Sequence, residues 1–167
     1  MTEIAGWFAG RLPDGWFVAS PEVHADRDEI LVIGKVAAPK VDGGPDAAAA
    51  ACAARAKRFR EETRATRVAI AEEAAHRFGR KVSWGVEIDD DRYLFTHLAV
   101  PVMTRLRFSE RTVLDTLIDA GVARSRSEAL AWCVRLVDRN QGDWITQLRD
   151  ALSHVEEARR SGPDVSG

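Results

Sequence analysis

The sequence predicts an α+β protein: a small antiparallel N-terminal sheet packed on one long helix, followed by a ribbon-and-helix C-terminal unit with an extra third helix. Three observations predict it. β-branched runs at "EILVIGKVA" and "KVSWGVEI" read as strands. Between them, residues 46–78 hold no Pro or Gly and repeat small or apolar side chains every three or four positions. After Pro101 the periodicity is helical in three successive stretches.

The elements follow in order. "GWFAGRLPDGWF" repeats Gly-Trp-Phe at 6–8 and 15–17 around a Pro13-Asp14-Gly15 turn signal, in which Pro presets φ and Gly accepts positive φ. Glu3 and the lack of a cationic leader pattern read as mature protein. The long helix takes Asp42 or Asp46 as its cap, Pro45 near its start and Gly79 as its stop. Its inward stripe reads Cys52, Ala56, Phe59, Thr63, Thr66, Ile70 and Ala74. "KVSWGVEI" and "RYLFTHLAV" form a hairpin across Asp89-Asp90-Asp91, a triplet that reads as a solvated turn or a cation site. Ser109 caps the next helix and Gly121 ends it; "SRSEALAWCVRLVDRN" and "DWITQLRDALSHVEEARR" are the last two helices. The domains expected are residues 1–100, residues 101–160 and a frayed tail, 161–167.

Composition narrows the function classes. The 167 residues carry a net charge of -2, so the chain is no polybasic coat. No apolar run approaches the roughly 18 residues of a membrane span. Cys52 and Cys133 stand far apart in helical contexts, as buried thiols of a reducing, cytoplasmic compartment do. Metal-ligand spacing, a nucleophile elbow and a Gly-rich phosphate loop are all missing, so no enzyme, metal or cofactor is expected. The five tryptophans read mainly as packing residues, with base stacking as the other reading.

Charge is segregated along the chain. Residues 51–82 carry nine cations against four acids, between two acidic segments. On the long helix Lys57, Arg60, Arg64 and Arg67 fall in one row. They read either as accessory contacts to a DNA backbone or as a solvated face with local Lys57–Glu61 and Glu61–Arg64 pairs.

The joint "RSRSEA" combines two chemistries. Ser125 and Glu128 fit a capping box. A helix N-terminus beside Arg124 and Arg126 also suits a phosphate. The preceding "MTRLRF" alternates, with Thr104, Leu106 and Phe108 toward a core and Met103, Arg105 and Arg107 outward. Arginines on an edge strand either read bases or blunt aggregation.

With "LDTLIDAG" and "RSRSEALAWCVRLV", this segment resembles the ribbon-helix-helix family of DNA-binding repressors and antitoxins over residues 102–138. The resemblance implies a homodimer whose paired ribbons enter the major groove of double-stranded DNA. Met103, Arg105 and Arg107 would contact bases; Arg124, Ser125, Arg126 and Ser127 would hold phosphates. The expected function is then transcriptional regulation, with the N-terminal unit adding backbone contacts or sensing a ligand or partner. The alternative is a non-enzymatic protein- or ribosome-interaction protein that uses the helix pair only to dimerise.

Overall fold

The structure is a computed structural model and describes residues 3–161. It divides into two compact units, residues 1–102 and 103–167. The tail expected over 161–167 lies, from residue 162 on, outside the described residues.

The first unit is α+β, as the sequence predicts. Its elements are α1 (Glu3–Arg11), β1 (Glu22–Ala25), β2 (Glu29–Lys35), α2 (Pro45–Glu62), α3 (Arg64–Phe78), β3 (Lys81–Ile88) and β4 (Asp91–Leu94). The strands form one sheet in the order β1-β2-β3-β4. The outer pairs are antiparallel, but β2 and β3 run parallel, with Ile30 opposite Val82 and Val32 opposite Trp84. The sheet is therefore mixed, a correction to the antiparallel expectation. A parallel pair needs a long crossover, and here α2 and α3 are that crossover.

The expected single helix is two. α2 starts with Pro45 at its first position behind Gly44, where the absent N–H costs nothing. It ends at Thr63, whose φ of -94° and ψ of 0° break the helical run before α3. Gly79, at φ 66°, closes α3 and donates its N–H to the Ala75 carbonyl. The buried positions are Cys52, Ala56, Phe59, Thr63, Arg67, Ile70 and Ala74. Thr66 is exposed, and Arg67 takes the place the sequence pattern assigned to it.

The two Gly-Trp-Phe segments both pack. The first lies in α1, a helix the sequence pattern does not announce because Gly6 and Gly10 each disfavour it by about 1 kcal/mol. Tertiary burial overrides that: Phe8 is fully buried with Ile30, Val32, Ile70, Ala74 and Trp84. Each such large side chain contributes roughly 1.5–3 kcal/mol. Trp16 and Phe17 pack against the second cluster, around Val36, Phe59 and Val86. Trp16 sits edge-on to Phe59 at 5.6 Å, an arrangement that aromatic quadrupoles favour.

The second unit holds α4 (Phe108–Asp119) and α5 (Arg126–Arg160). α4 is capped at Arg107, two residues before the expected Ser109; the Glu110 carboxylate accepts the Arg107 N–H at 2.6 Å. Arg107 has no side-chain acceptor to return a bond, so only half of a capping box exists there. Gly121 (φ 74°) ends α4 as expected, with its N–H on the Ile118 carbonyl and that of Val122 on Leu117, a Schellman closure. The two helices expected after it run as one element, interrupted at Gln141 (φ -128°, ψ 21°).

Gly34 in β2 is set by packing. A Cβ there would collide with the Phe17 ring. Gly34→Ala should therefore lower stability by about 1–3 kcal/mol, read as a shift of the urea midpoint with an unchanged m-value.

Candidate functional site

Topology fixes which cations can act together. Because one face of α2–α3 is buried, Lys57, Arg60 and Arg64 emerge along its edge, all exposed. With Glu61, Arg67, Val68, Phe95 and Thr96 they line an open cleft of ≈ 550 Å³. Neither Lys57–Glu61 nor Glu61–Arg64 pairs among the described residues; the close pair on α2 is Arg58–Glu62 at 3.8 Å, and Glu61 lines the cleft beside the row without bonding to it.

Arg67 is not exposed with the rest of the row, a correction to the surface position expected of it. It is only 7% exposed. Its Nε donates to Thr63 Oγ1 at 3.0 Å and one Nη to the Arg60 carbonyl at 2.7 Å; Thr63 Oγ1 in turn donates to the Phe59 carbonyl at 2.6 Å. Its guanidinium carbon lies 4.9 Å from the centre of the Phe95 ring, within cation–π range. All these partners are neutral. Burial, and then repulsion from Arg60 and Arg64, hold its pKa below the ordinary arginine value. Nη1 has no protein partner, and no buried side-chain nitrogen or oxygen is unsatisfied among the described residues, so Nη1 opens to the cleft. An anion in the cleft would meet three surface cations and one fixed donor, against the single acid Glu61.

The joint at 124–128 is built as a capped helix start. Ser125 Oγ accepts the Glu128 N–H at 3.2 Å, and the Glu128 carboxylate accepts the Arg124 N–H at 2.8 Å. Arg126 forms a bidentate pair with Asp115, both bonds 2.7 Å. That pair ties α5 to α4 and engages the Arg126 guanidinium that the sequence assigned to a phosphate. Hydrogen bonding to Arg126 holds the Asp115 carboxyl below the usual range. Ser127 and the Arg124 side chain are exposed.

Residues 101–107 form no strand, and Phe108 opens α4 at 78% exposure instead of entering a core. Of the even positions only Leu106 packs, against Leu114, Ala123 and Ala129. Met103, Arg105 and Arg107 do face outward, and neither arginine side chain pairs with an acid among the described residues.

Elsewhere the chemistry is quiet. Asp89 and Asp90 form the hairpin turn. Burial, then Asp89 and Asp91, push the Cys52 thiol up. Among the described residues no group of His, Cys, Asp and Glu could hold a metal, and no helix is long and apolar enough to cross a membrane.

Fold and cleft thus define a two-unit α+β protein with a cationic, partly aromatic cleft on its first unit. The chain belongs to the Rv1265-like family: residues 2–94 match the family model "Rv1265-like protein, N-terminal domain", and residues 107–159 match "Mb1296 C-terminal domain". It is 56% identical to the uncharacterized proteins Rv1265 of Mycobacterium tuberculosis (strain H37Rv) and Mb1296 of Mycobacterium bovis, over 96% of this chain and 70% of each relative. No solved structure matches. The matched C-terminal model is not that of the ribbon-helix-helix family, which corrects the resemblance drawn on residues 102–138. The physical reason for the resemblance is local: a Schellman stop followed by a Ser-capped helix is a common helix–helix joint.

The Asp115–Arg126 pair makes a sign-definite prediction. Asp115 has its pKa lowered in the folded state, so its contribution is present above the unfolded value and is lost as pH falls through the folded one. Wild type should lose more thermal stability than Asp115→Asn between about pH 5 and 2, measured by melting each at stepped pH.

Proposed function

We propose that the protein is a non-enzymatic, homodimeric DNA-binding protein that acts in transcriptional regulation. The observation that carries this reading is the cluster of Lys57, Arg60 and Arg64, none of them ion-paired among the described residues, around the buried Arg67, with Glu61 the one acid in the cleft lining. From Lys57 to Arg64 the helix edge spans about 10 Å, over which one DNA strand presents about three phosphates. Three surface cations at that spacing match a charged polymer better than scattered charges would. The Phe95 face beside them suits a sugar or base edge. The outward Met103, Arg105 and Arg107 supply a second set of contacts, with side chains able to reach guanine edges and thymine methyls.

Neutral partners alone are an expensive way to hold Arg67. A buried charge costs several kcal/mol unless it is compensated, and an anion in the cleft supplies the missing compensation. The same argument separates this reading from a plain solvated face, which has no reason to retain a buried cation at its centre.

Fluorescence anisotropy with a mixed-sequence duplex tests the reading. With about six phosphate contacts per dimer, affinity should fall about 10³-fold between 50 and 200 mM salt. Lys57→Gln, Arg60→Gln and Arg64→Gln together should flatten that slope and weaken all sequences alike. Arg105→Ala with Arg107→Ala should instead erase sequence preference, at about 1–3 kcal/mol for each base that is no longer read. Little binding at either salt would favour the protein-interaction alternative.

A further inference from the structure

The second unit is short of core. Among its described residues only Leu114, Ala123 and Ala129 are buried hydrophobics. Meanwhile Val134, Val137, Trp144, Leu148, Leu152 and Val155 are exposed along α5, Leu152 at 64% and Trp144 at 55%. So small a buried set does not offset the conformational entropy of ordering two helices. These side chains need a cover.

The face has a definite shape and charge. Cys133, Val134, Val137, Asp138, Ile145 and Arg149 line one groove of ≈ 380 Å³ that bridges the interruption at Gln141. Asp138 and Arg149 border it, and neither forms an ion pair among the described residues. Eleven positions apart in the sequence, they stand on opposite sides of the interruption at Gln141 and do not pair with each other.

We infer that the cover is the same face of a second copy of this chain, with the two α5 helices antiparallel about a two-fold axis near residues 143 and 144. That arrangement sets Asp138 of each copy against Arg149 of the other. It lays Val134 and Val137 over Leu148, Leu152 and Val155 of the other copy, and brings Trp144 to its own symmetry mate. A parallel pairing would instead oppose Asp138 to Asp138 and Arg149 to Arg149. The charge pattern therefore selects both the occupant and its direction, because a two-fold interface must be self-complementary. The inference deepens the homodimeric part of the proposed function and rests on that part alone, not on DNA binding.

Sedimentation equilibrium of the full chain, with Asp138→Arg, Arg149→Asp and the double variant, tests it. The wild type should be dimeric at about 50 μM. Each single charge reversal places two like-charge contacts in the interface and should raise the dissociation constant about tenfold. The double variant restores opposite charges and should recover the wild-type value. Leu152→Asp should disrupt the dimer with Asp138 and Arg149 intact, and red-shift the Trp144 emission, isolated as the difference from Trp144→Phe. A monomeric wild type, or single variants that associate as the wild type does, would overturn the inference. So would a monomer whose Trp144 emission is already blue-shifted, which would report some other cover. Anisotropy on the same samples keeps the two ideas apart: a failed dimer with a steep salt slope sinks only this interface, and an intact dimer with no DNA affinity sinks only the DNA reading.

Discussion

The parallel pairing of β2 with β3 is the constraint from which the first unit follows. Two parallel neighbours cannot be joined by a tight turn, so the chain must leave the sheet and return. α2 and α3 make that return, and one face of them is sealed against the strands through Cys52, Ala56, Phe59, Ile70 and Ala74. Whatever is not on that face is turned to water. The exposure of Lys57, Arg60 and Arg64 is thus a consequence of strand order as much as of their own chemistry.

Arg67 is where local and global demands disagree. It occupies a stripe position that an apolar residue would fill at lower cost, beside Arg60 and Arg64, which repel it. The fold holds it with the Thr63 hydroxyl, the Arg60 carbonyl and the Phe95 ring. Thr63 has two duties: it marks the break between α2 and α3, and it supplies the Nε acceptor. Departures from local consistency of this kind concentrate at functional sites, which is why the cleft, and not the helix joint, anchors the functional reading.

The second unit follows a different logic. Its local geometry is fully specified: a Schellman closure at Gly121, a Ser125 cap and a bidentate Asp115–Arg126 tie. Its packing is not, since a single chain leaves the apolar face of α5 open. Good caps with a thin core are what the inferred pairing of two α5 helices would complete. The Ser-Arg-Ser-Glu segment that stands out in the sequence is satisfied within its own chain, and its arginine is neutralised by a neighbouring helix.

Local chemistry made part of this structure legible from the sequence. Gly15, Gly79 and Gly121 adopt the positive φ that only glycine takes cheaply, Pro45 opens a helix, Ser125 caps one, and two adjacent aspartates turn a hairpin. Each depends on a handful of neighbouring residues, so a short window contains the whole cause. Tertiary structure alone decided the parallel central pair, the helix α1 despite its two glycines, the burial of Arg67 in place of Thr66, and the exposure of Phe108. Those outcomes depend on which distant surface a side chain meets. Helical periodicity narrows the choice at 66 and 67 to two adjacent positions, and only contact with the sheet settles which of them turns inward.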